Sequence, residues 1–86
     1  MRFARNPDLI SADMDGDLVM MSVEQGTYYG LTGIAPQIWI ALEEAKTANE
    51  LFDVLFPQYD VQSETLRRDI DSFLEEMLKN RLLRAL

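Results

Sequence analysis

Histidine and cysteine are both missing from this 86-residue chain. Without cysteine there is no disulfide framework and no thiolate metal site. Without histidine the commonest general base near neutral pH is gone, together with the commonest zinc ligand. The usual nucleophile–base pairs cannot be assembled, and an enzyme would have to work with carboxylates, lysine, tyrosine or serine alone. Long apolar runs are also lacking. None approaches the ~18 residues of a membrane span, and no basic N-terminal segment leads into an apolar one, so no signal peptide is expected. A soluble cytoplasmic protein is the expectation. Positive charge is scarce: 8 basic residues stand against 15 acidic ones, a net charge of −7. That balance opposes nucleic acid, where affinity comes from cations replacing counterions on phosphate, and an anionic membrane surface. It suits a partner with a basic segment.

At this length there is room for one domain, residues 1–86, with a small but workable core. The first third reads as strands. In Leu9–Met14 apolar residues alternate, placing Ile10, Ala12 and Met14 on one face. Asp15-Gly16 follows, a strong two-residue hairpin signal, and Leu18–Val23 returns. This register pairs Met14 with Asp17, Ala12 with Val19 and Ile10 with Met21. Glu24-Gln25-Gly26 reads as a three-residue loop ending on a left-handed glycine. It pairs Met21 with Tyr29 and Val19 with Leu31, so Val19, Met21, Tyr29 and Leu31 form the core face. Leu18, Met20, Tyr28 and Gly30 face the other way; a two-residue loop would reverse the assignment.

Three helices are expected next. Thr32 caps the first, with Pro36 in its first turn and Ile38, Trp39 and Leu42 as its buried stripe. Thr47-Ala-Asn-Glu50 has capping-box spacing and opens a helix carrying Leu51, Val54 and Leu55 that stops near Pro57. The third starts near Ser63-Glu64, and Leu66, Ile70, Phe73, Leu74, Met77 and Leu78 recur at helical spacing. Leu82, Leu83 and Leu86 are expected to pack the tail back on the body. The fold class is α+β, a three-stranded antiparallel meander followed by three helices.

Several patterns have plainer explanations. Asp13-Met-Asp15-Gly-Asp17 with Glu24 resembles a calcium loop, but Leu18 stands where that loop needs glycine, and strands rather than helices flank it. It reads as a solvated hairpin tip. Arg67-Arg68 sits among Glu64, Asp69, Asp71, Glu75 and Glu76, a poor surface for phosphate. Glu43-Glu44 and Glu75-Glu76 are neighbours in sequence only, diverging by ~100° on a helix. Leu18, Met20 and Tyr28 are different, because they fall on a sheet face that the helices should leave bare. Beside a free strand edge, such a patch suits an extended peptide. The alternative is that the N-terminus, with Phe3 and Leu9, folds over it.

Tyr28-Tyr29-Gly30-Leu31-Thr32, then Ala35, Ile38-Trp39 and Leu42, resemble the PqqD-like peptide-recognition domains of ribosomal peptide natural-product pathways. The likeness continues through Leu51, Leu55, Tyr59 and Asp69-Ile70-x-x-Phe73-Leu74, across about residues 8–84. Thr32 departs from the asparagine usual there. The resemblance implies a winged-helix-like fold that binds the leader segment of a precursor peptide, with no chemistry, cofactor or metal of its own. A free-standing domain of this length resembles the recognition proteins of lasso-peptide pathways, which work with a leader peptidase and a cyclase. The leader is then expected to add as a strand along Thr27, Tyr28, Tyr29, Gly30 and Leu31, against Leu66, Arg67, Ile70, Asp71, Phe73 and Leu74 of the third helix. Gly30 would let the second backbone approach closely. The rival is an acidic interaction module or regulator unrelated to peptide natural products.

Overall fold

The computed structural model describes residues 1–14 and 17–86. Its elements are β1 (Phe3–Arg5), β2 (Leu9–Met14), β3 (Asp17–Ser22), β4 (Thr27–Leu31), α1 (Ala35–Ala41), α2 (Ala48–Leu55), a 3-10 turn (Phe56–Gln58), α3 (Ser63–Lys79) and β5 (Leu83–Ala85). β2, β3 and β4 form the antiparallel meander, in that order, and three helices follow. The fold is therefore α+β. A second, two-stranded sheet pairs β1 with β5 antiparallel, Phe3 opposite Ala85 and Arg5 opposite Leu83. It is absent from the sequence expectation, because strands of three residues are too short for alternation to be read.

β2 and β3 pair in the expected register, with Met14 opposite Asp17 and Ile10 opposite Met21. The turn residues Asp15 and Gly16 lie outside the described residues, and with them the centre of the calcium-like pattern. Its flanks are strands. The β3–β4 register differs from expectation by one residue. Ser22 opposes Thr27, Met20 opposes Tyr29 and Leu18 opposes Leu31. The loop holds four residues, Val23 to Gly26, rather than three. Gly26 does take the left-handed conformation, at φ 66°, and its N–H donates to the Ser22 carbonyl at 2.8 Å.

That single residue exchanges the two faces of β3. Met20 is fully buried, Leu31 is buried, and Leu18 and Tyr29 pack against the core. Val19 and Met21 turn to the outer face instead, with Ile10 and Ala12 beside them across β2. The expected core roles of Ile10, Ala12, Val19 and Met21 are thus corrected, while those of Tyr29 and Leu31 hold. Tyr28 stands 72% exposed.

Local signals set the helices. Thr47 and Glu50 form the capping box reciprocally: the Glu50 N–H donates to Thr47 Oγ1 at 3.1 Å and the Thr47 N–H to Glu50 Oε1 at 2.9 Å. α1 begins after Ile34 with no side-chain cap, so the cap expected at Thr32 does not form; Pro36 lies in the first turn. At the other end of α1 the backbone N–H groups of Leu42 and Glu43 donate to the Ile38, Trp39 and Ile40 carbonyls, and Arg5 adds to them: its guanidinium donates to the Trp39 carbonyl and lies 4.9 Å from the Trp39 ring centroid. Burial pushes this guanidinium below its ordinary pKa, with Glu43 acting the other way. Ile38, Trp39, Leu42, Leu51, Leu55, Leu66, Ile70 and Met77 join Met20 in one core. Phe3, Leu82 and Leu83 seal its far side, so the N-terminus pairs with the tail rather than covering the meander. Leu86 is 69% exposed and does not pack back.

Candidate functional site

β4 pairs with β3 along one edge, and no other strand among the described residues takes the second edge. Every second residue of such an edge directs its N–H and C=O outward, unpaired. The C-terminal half of α3 stands across from it. Between them lies a cleft of about 370 Å³, lined by Tyr28, Tyr29, Gly30, Leu31 and Thr32 on one side and Phe73, Glu76 and Met77 on the other, with Ala35 of α1 completing it.

Helical spacing explains the α3 wall. Phe73 and Met77 are four residues apart and stack on one side of the helix, at the margin of its buried stripe. Glu76 follows Phe73 by three and is exposed. The wall thus presents two apolar side chains and the lining's one carboxylate. On the sheet side, Tyr29 leans on the core and its hydroxyl donates to Gln25 Oε1 at 3.2 Å. Gly30 has ordinary backbone angles, and a Cβ built there would meet nothing within 4 Å. Its missing side chain leaves open space above the strand.

Tyr28, Tyr29, Gly30, Leu31 and Phe73 of the expected site are brought together here, and Thr27 begins the same strand. Five others lie apart from the cleft lining. Leu66 and Ile70 are fully buried, and Leu74 is buried with them. Asp71 is exposed on α3. Arg67 faces α2: its guanidinium lies 4.2 Å from the Phe52 ring centroid and donates to Asn49 Oδ1 at 3.1 Å, and Phe52 in turn stacks on Phe56 at 4.9 Å. Thr32, Ala35, Glu76 and Met77 line the cleft without having been expected to. Met77 carried a signal, being one turn beyond Phe73 on the same stripe. Where along α3 the strand edge crosses is set by packing, which no local pattern encodes.

Residues 17–83 match the family model of coenzyme PQQ synthesis protein D, PqqD. The chain belongs to the PqqD family. No curated protein matches it. Among solved structures, TbiB1 in complex with the TbiA(beta) leader peptide is similar at a TM-score of 0.86 and 31% identity, over 96% of both chains. A lasso peptide synthetase B1 complexed with the leader peptide shares the fold at a TM-score of 0.85 and 21% identity, over 99% of this chain and 100% of that one. The PqqD match takes in β3, β4 and all three helices, and so contains both walls of the cleft. No helix is long and apolar enough to cross a membrane among the described residues.

Proposed function

We propose that this PqqD-family chain binds the leader segment of a ribosomally synthesised precursor peptide, that of a lasso peptide, and catalyses no reaction itself. The leader adds as a strand to the outer edge of β4 and rests on α3. The observation that carries this reading is the unpaired β4 edge facing Phe73 and Met77 across an open cleft. An extended peptide there gains backbone hydrogen bonds from the strand and side-chain pockets from the helix, the division of labour of strand addition. The relative at 31% identity, which holds a leader peptide, supports the same reading. We read the architecture as winged-helix-like and the setting as cytoplasmic. A leader peptidase and a cyclase are the partners to which the bound leader is presented.

Three measurements test this. A fluorescently labelled leader of a lasso-peptide precursor should bind the purified protein with a saturable rise in anisotropy. On adding that leader, backbone amide shifts should concentrate in residues 27–32 and 73–77. Shifts gathered on residues 9–14 would place the leader on the β2 edge and refute the site. Precursor shortened or modified by the purified protein alone would refute the non-catalytic role.

A further inference from the structure

We propose that Glu76 makes the cleft selective: it favours a leader carrying a lysine or arginine two residues from the apolar side chain that seats on Phe73 and Met77. This rests on the leader-binding reading above and names the side-chain chemistry that the site selects.

Glu76 is the one charged residue in a cleft lining that is otherwise apolar or uncharged. It is exposed on α3, one turn beyond Phe73 and next to Met77. Its backbone is committed: the Glu76 carbonyl accepts from the backbone N–H and the side-chain amide of Asn80, at 3.1 and 3.0 Å. Its carboxylate is not. The ion pairs among the described residues join Arg2 to Glu50 and Arg84 to Asp8. Lys79, one turn further along α3, makes no ion pair with it. That lysine lies with Ser72, Glu75 and Asn80 around a second hollow of about 360 Å³, which Glu76 also borders.

A strand laid over this cleft displaces water from Glu76. A carboxylate that loses water without gaining a cation or a donor opposes binding. An added strand turns alternate side chains toward α3, and those are the leader groups that meet Glu76. An acidic side chain there adds repulsion, and an apolar one leaves the carboxylate unpaired. A lysine or arginine pairs with it through a charge-assisted hydrogen bond. Spacing fixes where the cation sits. Alternate residues of a strand are about 6–7 Å apart on one face, and three residues of helix separate Phe73 from Glu76 by about 4.5 Å along the axis. A leader side chain seated on Phe73 and Met77 therefore leaves its second neighbour within a lysine's reach of Glu76, while its immediate neighbours point away from the helix. Such a pair chooses among partners more than it adds to affinity.

The test takes a labelled leader of a lasso-peptide precursor, replaces each position in turn by alanine, lysine or glutamate, and reads Kd by anisotropy against the full chain. The alanine series locates the apolar anchor. Two residues from it, lysine should bind wild type roughly tenfold more tightly than glutamate. Glu76→Lys should invert that preference, at that position and no other, and Glu76→Gln should abolish it. Glu75→Lys makes the same change in net charge outside the cleft lining and should leave the preference in place. If Glu76→Lys melts below wild type, the isosteric Glu76→Gln carries the test. A preference that survives Glu76→Gln, or that Glu75→Lys inverts equally, overturns the proposal, as does inversion at an odd number of residues from the anchor. A leader that binds without any such preference refutes the role of Glu76 and leaves the leader-binding reading standing. A leader with no saturable binding refutes that reading itself.

Discussion

Strand addition at β4 makes a prediction with a period. Suppose the leader's backbone amides are methylated one at a time. β4 spans five residues, so two or three turn their polar groups to the free edge, and an added antiparallel strand makes about four to six hydrogen bonds with them. Each contributes about 0.5–1.5 kcal/mol net. Methylating an amide that points at β4 removes one bond, leaves a β4 carbonyl without its donor, and pushes a methyl group into an interstrand gap of about 4.8 Å. The combined loss is about 1–3 kcal/mol, or roughly 5- to 150-fold in Kd. Methylating the next amide, which points away from β4, should change Kd little. Competition anisotropy across a series of singly methylated leaders reads this directly. Losses at every second position are expected, over a window of about five residues. A flat profile would refute strand addition, and losses at nearly every interior position, without alternation, would indicate a leader bound as a helix, whose interior N–H groups are all bonded along its own backbone.

Other predictions concern what holds the two walls in place. Thr47→Ala opens the capping box of α2 and should cost about 1 kcal/mol, a fall of roughly 4–8 °C in Tm for a domain of this size, read by circular dichroism. The Thr47 backbone hydrogen bond, first among several causes, holds the Glu50 carboxyl below its ordinary pKa. With the folded pKa depressed, the carboxylate's contribution is complete above the ordinary glutamate value of about 4.3 and is lost as pH falls toward the lower folded value. Thermal melts of Glu50→Gln below that pH should therefore fall less steeply with acid than those of wild type, and parallel slopes would contradict this. Arg67→Ala removes the contact with Phe52 and should cost about 0.5–1 kcal/mol while leaving leader affinity unchanged, since Arg67 faces α2. A tenfold loss of affinity would return Arg67 to the site. Ile70→Ala should cost about 2–5 kcal/mol of stability through the cavity it leaves, measured by urea denaturation.

How much of this was legible beforehand varies with the range of the force involved. The capping box at Thr47, the α3 stripe and the β2–β3 hairpin register rest on contacts within a few residues, and each appears as expected. The β3–β4 register does not, because a three- and a four-residue loop ending in left-handed Gly26 satisfy the same local chemistry. Choosing between them depended on which side chains reach the helices: Met20 is fully buried in the core that α1, α2 and α3 complete. The tail was likewise half legible. Leu82 and Leu83 were expected to pack, but that the segment pairs with Phe3–Arg5 as a strand requires both ends of the chain to meet.

For the site, the sequence by itself determined the chemistry on offer: a tyrosine-rich strand containing Gly30, an apolar helix face, an acidic surface, and neither histidine nor cysteine. Tertiary structure decided which of these meet. The angle and offset of α3 against the sheet bring Phe73, Glu76 and Met77 to the β4 edge, and leave Leu66 and Ile70 in the core and Arg67 on Phe52. Every turn of α3 offers an apolar residue. Only the packing of the whole core sets which turn lies opposite a strand more than forty residues away, because that choice minimises empty space in the core rather than answering any local preference.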